Sequence, residues 1–117
     1  MWIFLKDSFL SIVDKAEAEG CLVVRARAKG DIERIFPKAV VLANRGTDYQ
    51  FRAEISRTEV SRAIAAAVKG IDYPNFKGSV KEDARHDAYV GVWRVMDKFG
   101  SGGGGRANHP WLPSPLI

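Results

Sequence analysis

Cysteine is nearly missing from this sequence. Cys21 stands alone among 117 residues, which excludes an intrachain disulfide and any site built on paired thiolates. Histidine is almost as scarce, represented by His86 and His109 only. No apolar run approaches the roughly 18 residues that a membrane-spanning helix needs, so no membrane partner is expected. The apolar opening Met1-Trp2-Ile3-Phe4-Leu5 is interrupted by Lys6 and Asp7 and has no basic segment before it, unlike a secretory signal. Together with the free cysteine, this gives a cytoplasmic location as the expectation. A phosphate-binding loop is missing too. The glycine run near the C-terminus leads into Arg106 and Ala107 rather than into a helix, with no strand before it.

What remains is ordinary globular composition, 46% hydrophobic and 27% charged, in a chain of one-domain size. The net charge is +4, and its distribution is uneven. Residues 1–20 carry −2, residues 21–70 carry +5, and residues 71–99 balance. That is a mild bias, short of the continuous basic stripe of a dedicated nucleic-acid binder.

Periodicity divides the folded part into two halves. Trp2–Leu5 and Phe9–Val13 are apolar runs separated by Lys6-Asp7-Ser8, the pattern of a hairpin. Leu22, Val24, Ala26 and Ala28 alternate with Val23, Arg25, Arg27 and Lys29, which predicts a half-buried strand with a basic outer face. A short helix over Asp31–Phe36, stopped by Pro37, precedes an expected strand at Val40–Ala43. Tyr49, Phe51, Ala53 and Ile55 then alternate with polar residues as a further strand, which sends Tyr49 inward.

From Ser56 onward the spacing is helical. Ser56 with Glu59 forms a capping box ahead of the stripe Val60, Ile64, Ala67, Val68 and Ile71, and Gly70 supplies the stop. Ser79 with Glu82 predicts a second capping box, opening a last helix with two apolar rows. One row is Ala84, Ala88, Val92, Val95 and Phe99, and the other is Tyr89, Trp93 and Met96. The expected fold is α+β: a largely antiparallel sheet with helices on one face, in the order β-β-β-α-β-β-α-α. Residues 1–99 read as one domain, 100–105 as a glycine linker and 106–117 as a Pro-rich apolar tail.

Met1-Trp2-Ile3-Phe4, the turn Ile71-Asp72-Tyr73-Pro74-Asn75-Phe76-Lys77 and the helical Arg85-His86-Asp87-Ala88-Tyr89 resemble a group of small bacterial and phage proteins. The resemblance covers residues 1–99. It implies one compact domain and brings no activity with it.

Catalysis finds little support in the residue list. Cys21 has no base near it in sequence, and His109 lies in the tail. Glu82 and His86 share a helical face, which is two ligands rather than a metal site. No catalytic residue, metal or cofactor is therefore expected, and three surfaces are left. Trp111, Leu112, Pro113 and Pro115 form an extended apolar peptide, with P-x-x-P spacing at Pro110 and Pro113. Apolar side chains in such a tail imply docking on the same domain, on a second copy or on another protein. Tyr73 and Phe76 flank Pro74, either as a staple between helices or as anchors for a partner. Arg25, Arg27, Lys29 and Arg52 could share one sheet face and give weak, sequence-independent nucleic-acid binding. Single-strand binding also asks for aromatics on that face. Of the opposed pairs Trp2/Phe4 and Ile3/Leu5, only one can lie outside. The leading expectation is a non-catalytic protein-interaction module, an adaptor, an inhibitor or a homo-oligomer building block, with nucleic-acid binding as the alternative.

Overall fold

The computed structural model describes residues 1–44, 46 and 48–102. The tail positions Trp111, Leu112, Pro113 and Pro115 lie outside the described residues. The chain is α+β, with a four-stranded antiparallel sheet in sequential order, β1 (Trp2–Phe4), β2 (Phe9–Val13), β3 (Cys21–Ala26) and β4 (Phe51–Ser56). The helices are α1 (Asp31–Ile35), α2 (Arg57–Lys69), α3 (Phe76–Ser79) and α4 (Asp83–Gly100). Residues Met1–Ser79 form one compact unit and Val80 opens a second, where the sequence reads a single domain over 1–99.

In the first unit, period-two alternation sorts the strand residues between two faces. The inner face brings Leu10, Ile12, Val24, Ala26, Ala53 and Ile55 together with Ile32 and Phe36 of the α1 segment and Val60 of α2. Ile3, Leu5 and Leu22 pack against the same cluster, so the pair turned outward is Trp2 and Phe4. The β1–β2 hairpin closes through the Leu5 amide, which donates to the Ser8 carbonyl over 2.8 Å.

Asp31 locks α1 to the sheet. Its carboxylate is buried, accepts the Phe9 amide at 2.9 Å and pairs with Arg34 at 2.8 Å. A buried carboxylate costs several kcal/mol unless it is satisfied in this way. Gly30, with φ of 94°, precedes the helix in a left-handed conformation that a side chain would resist. α2 starts at the predicted Ser56, whose hydroxyl accepts the Glu59 amide at 3.1 Å, the serine half of a capping box.

Four expectations need correction. The strand at Val40–Ala43 shrinks to one bridge, Leu42 to Arg52, because Asn44 adopts a left-handed φ of 59° and turns the chain away. β3 ends at Ala26, so Arg27 and Lys29 lie beyond it. β4 begins at Phe51, which leaves Tyr49 outside the strand and free of its alternation. The second capping box does not form. The Ser79 hydroxyl donates to the Phe76 carbonyl within α3, and α4 starts after Glu82 without a side-chain cap. The observed order is β-β-β-α-β-α-α-α.

In the second unit, α4 runs eighteen residues, with Asp83 in the first turn and Lys98 in the last, both suited to the helix dipole. Arg85 pairs with Glu82 at 3.1 Å and reaches the Tyr89 hydroxyl at 3.3 Å. Val80 and Tyr89 are buried. Beyond the helix, Gly102 has φ of 70° and donates to the Phe99 carbonyl, the geometry of a glycine C-cap. Gly100 and Ser101 therefore belong to the end of α4 rather than to a linker. Among the described residues, no helix is long and apolar enough to cross a membrane.

Candidate interaction surfaces

The outer face of the sheet is divided in two. At one end, Glu54 accepts the amides of Glu17 at 3.0 Å and Ala18 at 3.1 Å, which fixes the loop after β2 to this face. The Glu17 amide, followed by that of Ala18, lowers the Glu54 pKa from its ordinary value, against a small opposing effect of burial. The only outward carboxylate of β4 is thus already engaged.

At the other end, strand pairing puts Trp2, Ser11, Arg25 and Arg52 in a single row across all four strands. Trp2 stands 66% exposed. Its ring and that of Phe9 are T-shaped at a centroid distance of 6.1 Å, and Phe9 stacks on Phe4 at 4.6 Å. Arg25 donates to the buried Ser11 hydroxyl at 2.6 Å, while its Nε is buried without a partner.

Tyr49 organises the basic side of this row. The guanidinium carbons of Arg25 and Arg27 each lie 4.5 Å from its ring centroid, within cation–π range. Arg27 also donates to the Asp48 carbonyl at 3.0 Å, and Arg52 Nε approaches the Tyr49 carbonyl at 3.4 Å. Gly46 closes the cluster. A Cβ there would sit 2.6 Å from an Arg52 nitrogen and 2.9 Å from the Tyr49 carbonyl oxygen. Among the described residues, no carboxylate forms an ion pair with Arg25, Arg27 or Arg52.

Three of the four expected cations therefore converge, whereas Lys29 is exposed and lies beyond the end of β3. Tyr49 and Ser11 are the residues that sequence reasoning missed. Ser11 carries no signal beyond its place in an apolar strand, and the alternation that sends Tyr49 inward starts two residues later, at Phe51.

The last helix presents a second surface. Val92, Val95 and Met96 are 41%, 66% and 54% exposed, with Trp93 and Phe99 beside them on the same half of α4. Ala88, Val92, Val95 and Phe99 follow four-three-four spacing, the seam pattern of a helix that meets another segment. Tyr73 and Phe76 form a tilted ring pair at 5.9 Å, each half-buried, so the turn is braced internally and partly presented.

Glu82 and His86, the two ligand-type residues on one helical face, each have a neighbour of their own. Glu82 is held by Arg85, and His86 Nδ1 lies 3.9 Å from Asp87. Among the described residues, no group of three His, Cys, Asp or Glu side chains could hold a metal ion. Comparison with protein-family models, with curated proteins and with solved structures gave no match.

Proposed function

We propose that this chain is a non-catalytic protein-interaction module whose C-terminal segment, residues 106–117, docks on the apolar face of its own α4 and gives way there to a protein partner. The observation that carries the reading is the exposure of Val92, Val95 and Met96 in one half of a well-formed helix. Helices of this kind ordinarily bury such a stripe, and an open apolar patch marks an interaction site.

The choice of occupant follows from the chain itself. Residues 103–117 follow directly on the glycine cap at Gly102 and carry Trp111, Leu112, Leu116 and Ile117, with Arg106 as their one charged side chain. From Phe99 back to Val92 the helix advances about 10 Å, within reach of a twelve-residue extended peptide. Glycines 103–105 let the chain reverse, and tethering gives an effective concentration of order millimolar. Trp111 and Leu112 act as anchors, while Pro113 and Pro115 keep the peptide extended.

The test is a double substitution in the full chain, Trp111→Ala with Leu112→Ala. Binding of an environment-sensitive apolar dye rises several-fold, because the α4 face is uncovered. Unchanged dye binding, with unchanged stability and oligomeric state, would remove the segment from consideration.

A further inference from the structure

The outer sheet face carries an inference independent of α4 and the tail. We infer that the row Trp2–Ser11–Arg25–Arg52, with Arg27, binds single-stranded nucleic acid, a base stacking on Trp2 while phosphates meet the three guanidinium groups.

The first argument is electrostatic. Arg25 and Arg52 are directly opposed cross-strand partners, a placement in which like charges repel. Arg27 adds a third positive charge at the Tyr49 ring, and no carboxylate among the described residues pairs with any of the three. The Tyr49 ring and the Ser11 hydroxyl fix where the guanidiniums lie without neutralising them. An anion placed over the row removes the repulsion, and guanidinium forks match phosphate oxygens.

The second argument is the aromatic at the far end. Trp2 packs edge-to-face with Phe9, itself stacked on Phe4, so a largely exposed indole is offered from a braced position. It lies on the same face as the arginines, three strand spacings from Arg52, about 14 Å at the usual inter-strand distance. A cationic strip leading to an aromatic platform is the arrangement by which proteins hold single strands. Duplexes keep their bases stacked inside and cannot use the platform. Tyr49 is nearly buried and covered by guanidiniums, so it shapes the cationic end and takes no base.

The test uses the full chain and a fluorescein-labelled oligothymidylate of about twelve nucleotides, read by anisotropy, beside a duplex of equal length and inorganic triphosphate as competitor. Three phosphate contacts predict an affinity falling about 20-fold between roughly 50 and 200 mM salt. Trp2→Leu weakens single-strand binding about tenfold, the scale of one stacked base, and leaves the salt slope unchanged. Arg27→Gln flattens the slope by about one contact and leaves the platform intact. Thermal melts of both variants verify folding, and because both side chains are largely on the surface, their melting matches the parent. Absence of binding at the lower salt overturns the inference. So does equal affinity for duplex with no effect of Trp2→Leu, and so does complete displacement by triphosphate at equal phosphate concentration, which would make the face a general anion site.

Discussion

α2 and α4 both carry an apolar stripe at helical spacing, and the two stripes meet different fates. In α2, Val60 is buried and Ala63 and Ile64 pack on the sheet, so the stripe becomes part of the core. In α4, Tyr89 is buried, yet Val92, Val95 and Met96 stand open. Periodicity reports that a face is apolar, but not what will cover it. Even α2 shows the limit, because Val68 and Ile71 at the end of its stripe are exposed. A buried face contributes to folding, whereas an open one is available for association.

The sharpest way to break this comparison is to place the same charge on each stripe. Val60→Asp puts an unpaired carboxylate in the core and costs about 4 kcal/mol or more, measured by denaturant unfolding. Val95→Asp costs far less, about 1 kcal/mol, because its side chain is covered only by the docked C-terminal segment and not by the core. Equal costs would mean that the α4 face is as much a part of the core as α2. Asp31→Ala comes next. It strands the Phe9 amide and removes the ion pair with Arg34, which keeps its bond to the Asp7 carbonyl, so about 2 kcal/mol is lost in the same assay. A cost near zero would show that packing alone holds α1 on the sheet.

Much of this arrangement was legible in the sequence. The alternation of Leu22, Val24 and Ala26 with Val23 and Arg25 is the alternation of β3, and Arg25 and Arg52 do share the outer face. Ser56 caps the start of α2 as its residue type favours, and Gly70 ends it without needing a left-handed conformation. What escaped depends on contacts distant in sequence or on single dihedral angles. Asn44 at positive φ ends the expected strand after one bridge, and asparagine tolerates that conformation without demanding it. Tyr49 leaves its alternation to join Arg25 and Arg27, more than twenty residues away. Asp31, which reads as a helix-start acid, is a buried tie because Phe9 arrives beside it through the hairpin. Ser79 turns to its own short helix, so Glu82 opens α4 instead.

Smaller effects sharpen the same contrast. Gly91 lies within α4, and a Cβ there would meet nothing within 4 Å. Gly91→Ala therefore stabilises the chain by about 0.5–1 kcal/mol, the helix-propensity difference, seen as a raised melting temperature. A loss of stability would reveal a neighbour close to the helix. The smallest effect belongs to Glu54, whose pKa is lowered by the Glu17 and Ala18 amides. Its contribution is complete above the ordinary glutamate range and is lost as pH falls through the lowered value. The amide shifts of Glu17 and Ala18 titrate together below that range, and Glu54→Gln abolishes the titration.

The most direct measurement is methyl NMR of the full chain, following Val92, Val95 and Met96 in the parent and in Trp111→Ala with Leu112→Ala. Docking of the C-terminal segment predicts shifts displaced by the indole ring in the parent and returned to helix-surface values in the double variant, with the sheet methyls of Leu10 and Ile12 unmoved. Identical α4 methyl spectra in the two proteins would contradict the account.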